Sequence, residues 1–162
     1  MINLSSEPRK IKIVLGEGEE AVETTAILLE KEAPRTCKLI WDKLPIDDFR
    51  ELTPPPKKRW IGKAVHHTWC GAGLFCLVEK IQGLECENHT IYPNIGDIGW
   101  NFLSYPDFDE LSIVYGPALW RGPRGDLLFN VFARVTGNTE EFFDVIFDMR
   151  NTGSKRLIIR KA

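Results

Sequence analysis

Apolar and polar residues alternate in several short runs along this chain, the period-two pattern of strands with one buried face. Residues 9–16, RKIKIVLG, carry the first run and residues 23–30, ETTAILLE, the second. Ala26, Leu28 and Leu29 would also suit the start of a helix. Residues 61–79, IGKAVHHTWCGAGLFCLVE, read as a pair of strands joined at Gly71-Ala72-Gly73. Alternation puts Ile61, Val65, His67 and Trp69 on one face there, and Ala64, His66, Thr68 and Cys70 on the other. The adjacent histidines therefore point opposite ways. Further strands are expected from Gly96-Asp97-Ile98-Gly99-Trp100, from 111–116 (LSIVYG), from 127–135 (LLFNVFARV) and from 155–161 (KRLIIRK). Asn130 interrupts the most apolar of these, and an amide there must be a bulge anchor or a ligand contact.

Two segments change period. Proline at the first helical position, Pro34, opens a helix that Pro45 ends. Cys37, Ile40, Trp41 and Leu44 form its apolar stripe. A second helix is expected over 139–150, with Asn138 as a capping side chain, acids in its first turn and Gly153 after its end. Phe142, Phe143, Ile146, Phe147 and Met149 should form its buried side. Many strands with two isolated helices predict a mainly β, α+β chain, folded as a closed barrel capped by helices. Regular βαβ alternation is missing, and no linker divides residues 1–162, so one domain is expected.

The connections contain several short patterns. Pro54-Pro55-Pro56 followed by Lys57-Lys58-Arg59 reads as an extended, solvated loop. Gly16-Glu17-Gly18 lacks the third glycine of a dinucleotide loop and reads as a turn. Asn88-His89-Thr90 matches an N-glycosylation triplet and Arg124-Gly125-Asp126 an adhesion tripeptide, but neither has an export signal to give it meaning, and the latter reads as a turn.

Charge removes whole classes of function. The net charge is −2, so no basic excess exists to neutralise nucleic-acid phosphates. No apolar run has the length of a bilayer span, and MINLSSEPRK lacks the apolar core of a signal peptide. A cytoplasmic location is expected. Cys37, Cys70, Cys76 and Cys86 form no CxxC pair and should be free thiols. With no HxH or HxxxH pair either, no metal and no other cofactor is expected.

The segments ETTAILLE, APRTCKLIWDKLP, the histidine strand, GDIGW, VYGP and NVFARVTGN together resemble a family of small, uncharacterised cyclophilin-like proteins. The resemblance covers roughly residues 10–138. Its most specific piece is His, two residues, Trp, a small polar residue, Gly, matched by His66, Trp69, Cys70 and Gly71, with cysteine where serine is usual. The same family is similar to the cyclophilin-like part of cucumopine synthase, which condenses histidine with 2-oxoglutarate in a Pictet–Spengler ring closure. The helical C-terminal part of that enzyme has no counterpart in this sequence. More distantly, the fold occurs in paired subunits of biotin-linked carboxyltransferase and oxoprolinase systems. The phenylalanine-histidine-arginine strand of true prolyl isomerases is missing here.

The resemblance makes His66 the expected proton-transfer group, a role its near-neutral titration suits. Tyr115 and Arg121 flank a strand-end break, where barrels often meet ligands. The expectation is therefore a catalytic set of His66, Tyr115 and Arg121, with Arg121 gripping a carboxylate. Trp69, Cys70 and Asn130 are expected along the substrate-binding wall. Two functions follow. One is a metal-free enzyme acting on a small carboxylate-bearing nitrogenous metabolite, with a Pictet–Spengler-type condensation of an amino acid and a 2-oxo acid as the specific form. The other is a non-catalytic module that binds a small molecule or a partner.

Overall fold

The structure is a computed structural model that describes residues 7–47, 64–66, 70–102, 105–122 and 124–162. Twelve strands and two α-helices are assigned within them. Strands β1 (Lys10–Leu15) and β2 (Val22–Leu28) come first, followed by α1 (Pro34–Lys43). Then come β3 (Ile46–Asp47), β4 (Val65–His66), β5 (Gly71–Glu79) and β6 (His89–Thr90). Next are β7 (Asp97–Asn101), β8 (Phe108–Ala118), β9 (Arg121–Gly122) and β10 (Gly125–Asp126). The chain finishes with β11 (Phe129–Gly137), α2 (Thr139–Thr152) and β12 (Leu157–Lys161).

The chain is a mainly β, α+β fold built on one strongly curled antiparallel sheet. Its strands run in the order β3-β12-β1-β2-β11-β7-β8-β5-β4, with β6 paired to β11. An antiparallel bridge between Ala64 and Lys155 brings the β4 end of the sheet to the residues that lead into β12. Ala64 N donates to Lys155 O at 3.0 Å, and Lys155 N donates to Ala64 O at 3.3 Å. With the curl of the sheet, this isolated bridge makes the fold barrel-like.

Inward positions fill the core at every second residue. Ile11, Ile13 and Leu15 of β1 join Leu111 and Ile113 of β8 and Ile98 and Trp100 of β7 in one buried cluster. Both helices add to it, α1 through Cys37 and Ile40 and α2 through Phe142, Ile146 and Met149. A smaller cluster of Cys70, Val114, Trp120, Phe129 and Val131 lies apart from it. Gly99 is required at the junction, since a Cβ there would run into the Phe129 ring.

Several expectations change in detail. Gly71-Ala72-Gly73 is not a turn but the bulged start of β5, because Val65 pairs with Phe75 and His66 with Leu74. Gly71 is held at φ 85°, and a Cβ would lie 2.9 Å from Pro117 O. Arg124, read as part of a turn, is a turn residue between β9 and β10, which pair as a small two-stranded ribbon. Asn138 adopts a left-handed conformation and makes no side-chain cap; its Nδ2 instead donates to Glu141 Oε2 at 2.8 Å. Phe147 leaves the buried side of α2 and is 53% exposed. The triproline and basic triplet, His67 and Trp69 lie outside the described residues. Among the described residues no helix is long and apolar enough to cross a membrane.

Candidate functional site

The curl of the sheet decides which expected residues meet. The Ala64–Lys155 bridge fixes β4 near the end of α2, and Ala64 and His66 share one face of that short strand. Tyr115 ends the inward-facing series Leu111, Ile113, Tyr115 on β8. Its Oη lies 3.0 Å from His66 Nδ1, and the two rings meet edge to face with centroids 5.5 Å apart. The third member comes from the last turn of α2. Arg150 Nη2 donates to Tyr115 Oη at 3.4 Å, while its guanidinium carbon lies 4.1 Å from the centre of the Phe147 ring.

Donor arithmetic orders this cluster. A guanidinium can only donate, so Tyr115 Oη accepts from Arg150. The phenolic proton is then available to His66 Nδ1, and a neutral imidazole carries its own proton on Nε2. Nε2 is shielded from solvent and has no hydrogen-bond partner among the described residues. Burial pulls the His66 pKa below its ordinary value, and the Arg150 charge pulls it further. The backbone carbonyls of Ile146 and Phe147 oppose the shift, though neither completes a bond to Nε2. The imidazole is therefore neutral at pH 7 and ready to accept a proton.

The shift has a consequence for stability. An imidazole held below its ordinary value of 6.5 binds fewer protons in the folded chain than in the unfolded one. Its stabilising contribution is full above about pH 6.5 and is lost as pH falls below that value. The thermal midpoint of the natural chain should thus drop more steeply between about pH 7 and pH 5 than that of a His66→Gln chain. Parallel curves for the two chains would contradict a buried neutral imidazole.

The other expected residues sit elsewhere. Arg121 directs its guanidinium to Asp126, with Nε 2.9 Å from Oδ1. No described contact joins it to His66 or Tyr115. Its backbone instead brackets Cys70: Arg121 N donates to Sγ at 3.2 Å and Sγ donates to Arg121 O at 3.0 Å. Burial pushes the Cys70 thiol up to about 12, so it is not a thiolate nucleophile at neutral pH. It packs with Trp120 and Phe129, whereas His66 meets Tyr115.

Asn130 is a loop anchor. Its Nδ2 donates to Thr36 Oγ1 at 3.1 Å and to Glu85 O at 3.2 Å. Its Oδ1 accepts from Glu87 N and Asn88 N at 3.3 and 3.1 Å. The loop so held presents Glu87 to the start of α1, where the carboxylate accepts from Arg35 N and Thr36 N at 3.1 and 2.7 Å. This replaces the cap that Ala33 cannot supply. Both donor and acceptor groups of the amide are used inside the protein. Asn130→Ala should cost about 2–4 kcal/mol, the sum of stranded buried amides and a loosened cap. Urea unfolding would check this, and a loss below about 1 kcal/mol would show the anchor to be dispensable.

Arg150 and Phe147 were not among the expected site residues. Helical spacing held the signal: Arg150 follows buried Ile146 by four positions and so lies at the edge of the core stripe. Nothing local told which strand that edge would meet. An acidic surface groove along α2, lined by Glu140, Glu141, Asp144 and Asp148 among others, includes none of the cluster residues. Among the described residues no three His, Cys, Asp or Glu side chains gather as a metal-ligand set.

The chain is a curled, barrel-like antiparallel sheet in which His66 and Tyr115 meet Arg150 from the last turn of α2. Residues 17–159 match the family described as Protein of unknown function (DUF3830), and the chain belongs to that family. No curated protein matches it.

Proposed function

We propose that the chain is a cyclophilin-like enzyme that moves a proton on a small, carboxylate-bearing nitrogenous metabolite at His66, Tyr115 and Arg150. The observation carrying this reading is the neutral, half-buried imidazole bonded through Nδ1 to a phenol that also meets a guanidinium. Arg150 takes the carboxylate-gripping part expected of Arg121, because Arg121 is already paired with Asp126. Tyr115 Oη faces the substrate proton. As it receives that proton, its own passes to His66 Nδ1. The positive charge released from the substrate then rests on the His66 imidazolium.

The specific reaction in this reading is a Pictet–Spengler-type condensation. An amino-acid amine and a 2-oxo acid join as an imine with loss of water. A ring carbon of the amino acid attacks the imine carbon while the imine nitrogen is protonated, so the C=N electron pair moves to nitrogen and leaves a neutral amine. The proton left on the ring carbon is the one that Tyr115 and His66 remove. Incubation of the purified chain with histidine and 2-oxoglutarate, and with a panel of other amino-acid and 2-oxo-acid pairs, tests this by mass spectrometry. The expected product has the mass of the two reactants less one water and does not revert on dilution. Recovery of every reactant unchanged would leave the non-catalytic binding module as the reading.

A further inference from the structure

The buried line of α2 leaves one large apolar residue over. Phe142, Ile146 and Met149 enter the core cluster, whereas Phe147 is exposed over half its surface. A ring left so far in water gains little from burial. The contact it makes is with a charge. Arg150 stands three positions later, a spacing that makes neighbours on a helix surface. Its guanidinium carbon lies over the Phe147 ring, 4.1 Å from the centre. That is well inside the range of about 6 Å over which a ring attracts a cation.

The hydrogen bond from Arg150 to the cluster is weak by itself. Arg150 is an exposed residue, and Nη2 reaches Tyr115 Oη at 3.4 Å, the long end of a hydrogen bond. One such bond is a poor clamp for a long side chain, which loses rotamer freedom when it is held. A guanidinium is planar and carries its N–H donors around its edge. A ring against the face therefore holds the group without using its donors. Phe147 and Tyr115 thus act on different parts of Arg150, and further N–H groups stay free for a ligand.

We propose that Phe147 is the positioning residue for Arg150: its ring holds the guanidinium beside Tyr115 and His66, where it meets a substrate carboxylate. The carboxylate rests on the proton-transfer reading above; the placing of the arginine does not. Phe147→Leu keeps an apolar side chain and removes the ring. It should lower the odds of finding Arg150 at Tyr115 by about two- to fivefold, the worth of a cation–π contact at an exposed site. The His66 imidazole reports that placement, because the Arg150 charge adds to burial in lowering its pKa. Around the imidazole, β8 supplies Tyr115 and α2 supplies Arg150. The β5 partners of β4 are Phe75 and Leu74, and Lys155 meets Ala64 through backbone bonds.

NMR titration of the His66 imidazole in the full chain tests the proposal, with His66→Gln identifying its signals. The natural chain is compared with Phe147→Leu, Phe147→Trp, Arg150→Ala and the double variant Phe147→Leu/Arg150→Ala. Phe147→Leu should raise the midpoint toward that of Arg150→Ala without passing it. Phe147→Trp should keep the natural midpoint, because an indole is the best ring for a cation. The double variant should match Arg150→Ala, because the ring acts through the arginine. An unmoved midpoint in Phe147→Leu or in Arg150→Ala would overturn the proposal. So would an equal rise in Phe147→Trp and Phe147→Leu, or a double variant that exceeds Arg150→Ala. Substitution at a half-exposed position leaves the core cluster in place, so all the Phe147 variants should fold. The titration needs no turnover. If it runs as expected and no reactant pair is converted, the proton-transfer reading fails and the positioning stands.

Discussion

Asp109→Ala is expected to remove about 3–5 kcal/mol of stability, the range for stranding one partner of a buried ion pair. Asp109 is fully buried at the start of β8. Its Oδ2 accepts from Trp100 Nε1 and from Ile81 N, both at 2.8 Å, and its Oδ1 lies 3.2 Å from Lys80 Nζ. Alanine would leave an indole N–H and a backbone N–H without their acceptor inside the core cluster. Each stranded group costs about 1–3 kcal/mol. Lys80 would keep only its carbonyl contacts, to Phe102 at 3.1 Å and Tyr105 at 3.4 Å. Since the lysine is 31% exposed, water would relieve part of its loss, and the two buried donors carry most of the effect. Asp109→Asn retains an acceptor and should lose less. Urea unfolding should show a lower midpoint at unchanged slope. A loss below about 1 kcal/mol for the alanine variant would mean that the surrounding core re-satisfies both donors.

Asp109 also shows where sequence reading stops. The run Asp109-Glu110 at the head of a strand gives one acid to each face, and alternation assigns one of them to water. Both are buried, because the inward acid has an indole and a lysine to meet and the outward one lies in a shielded polar row. Neither partner set is visible from local pattern. The helices and most strands were legible because their signals are local. Pro34 and the Cys37–Ile40 stripe mark α1, and alternation marks β1, β2, β7, β8, β11 and β12. The five apolar positions read as the buried side of α2 were too many for one stripe. Phe142, Ile146 and Met149 follow the buried line at spacings of four and three, and Phe147 falls beyond its edge.

Within the site, His66 and Tyr115 were legible as chemistry, one from a motif and one from a strand end. Their contact spans 49 positions. Arg121 was read from the same strand-end logic, but the ribbon of β9 and β10 supplies Asp126 five residues later and occupies it locally. Arg150 reaches the cluster only because the Ala64–Lys155 bridge sets β4 near the end of α2. The curling of a sheet is a non-local event with no period of its own, so the arginine that completes the cluster could not be chosen from spacing.

The kinetic prediction follows from that choice of arginine. On whichever amino-acid and 2-oxo-acid pair the chain converts, His66→Ala should lower kcat by about 10²–10⁴, the usual worth of a positioned general base. Tyr115→Phe should lower it too, since the phenol is the group that passes the substrate proton to Nδ1. Arg150→Ala should act first on KM, because a carboxylate grip serves substrate and transition state alike. Arg121→Ala should change neither constant, as its guanidinium is held by Asp126. The pH profile separates chemistry from packing. The imidazole must be neutral to accept the proton, and burial with Arg150 lowers its pKa. The acid limb of kcat/KM should therefore lie below pH 6.5, the ordinary histidine value, and Arg150→Ala should move it upward by removing the second cause of the shift. Equal kcat for the natural and His66→Ala chains, or an acid limb that Arg150→Ala leaves in place, would remove proton transfer from this cluster.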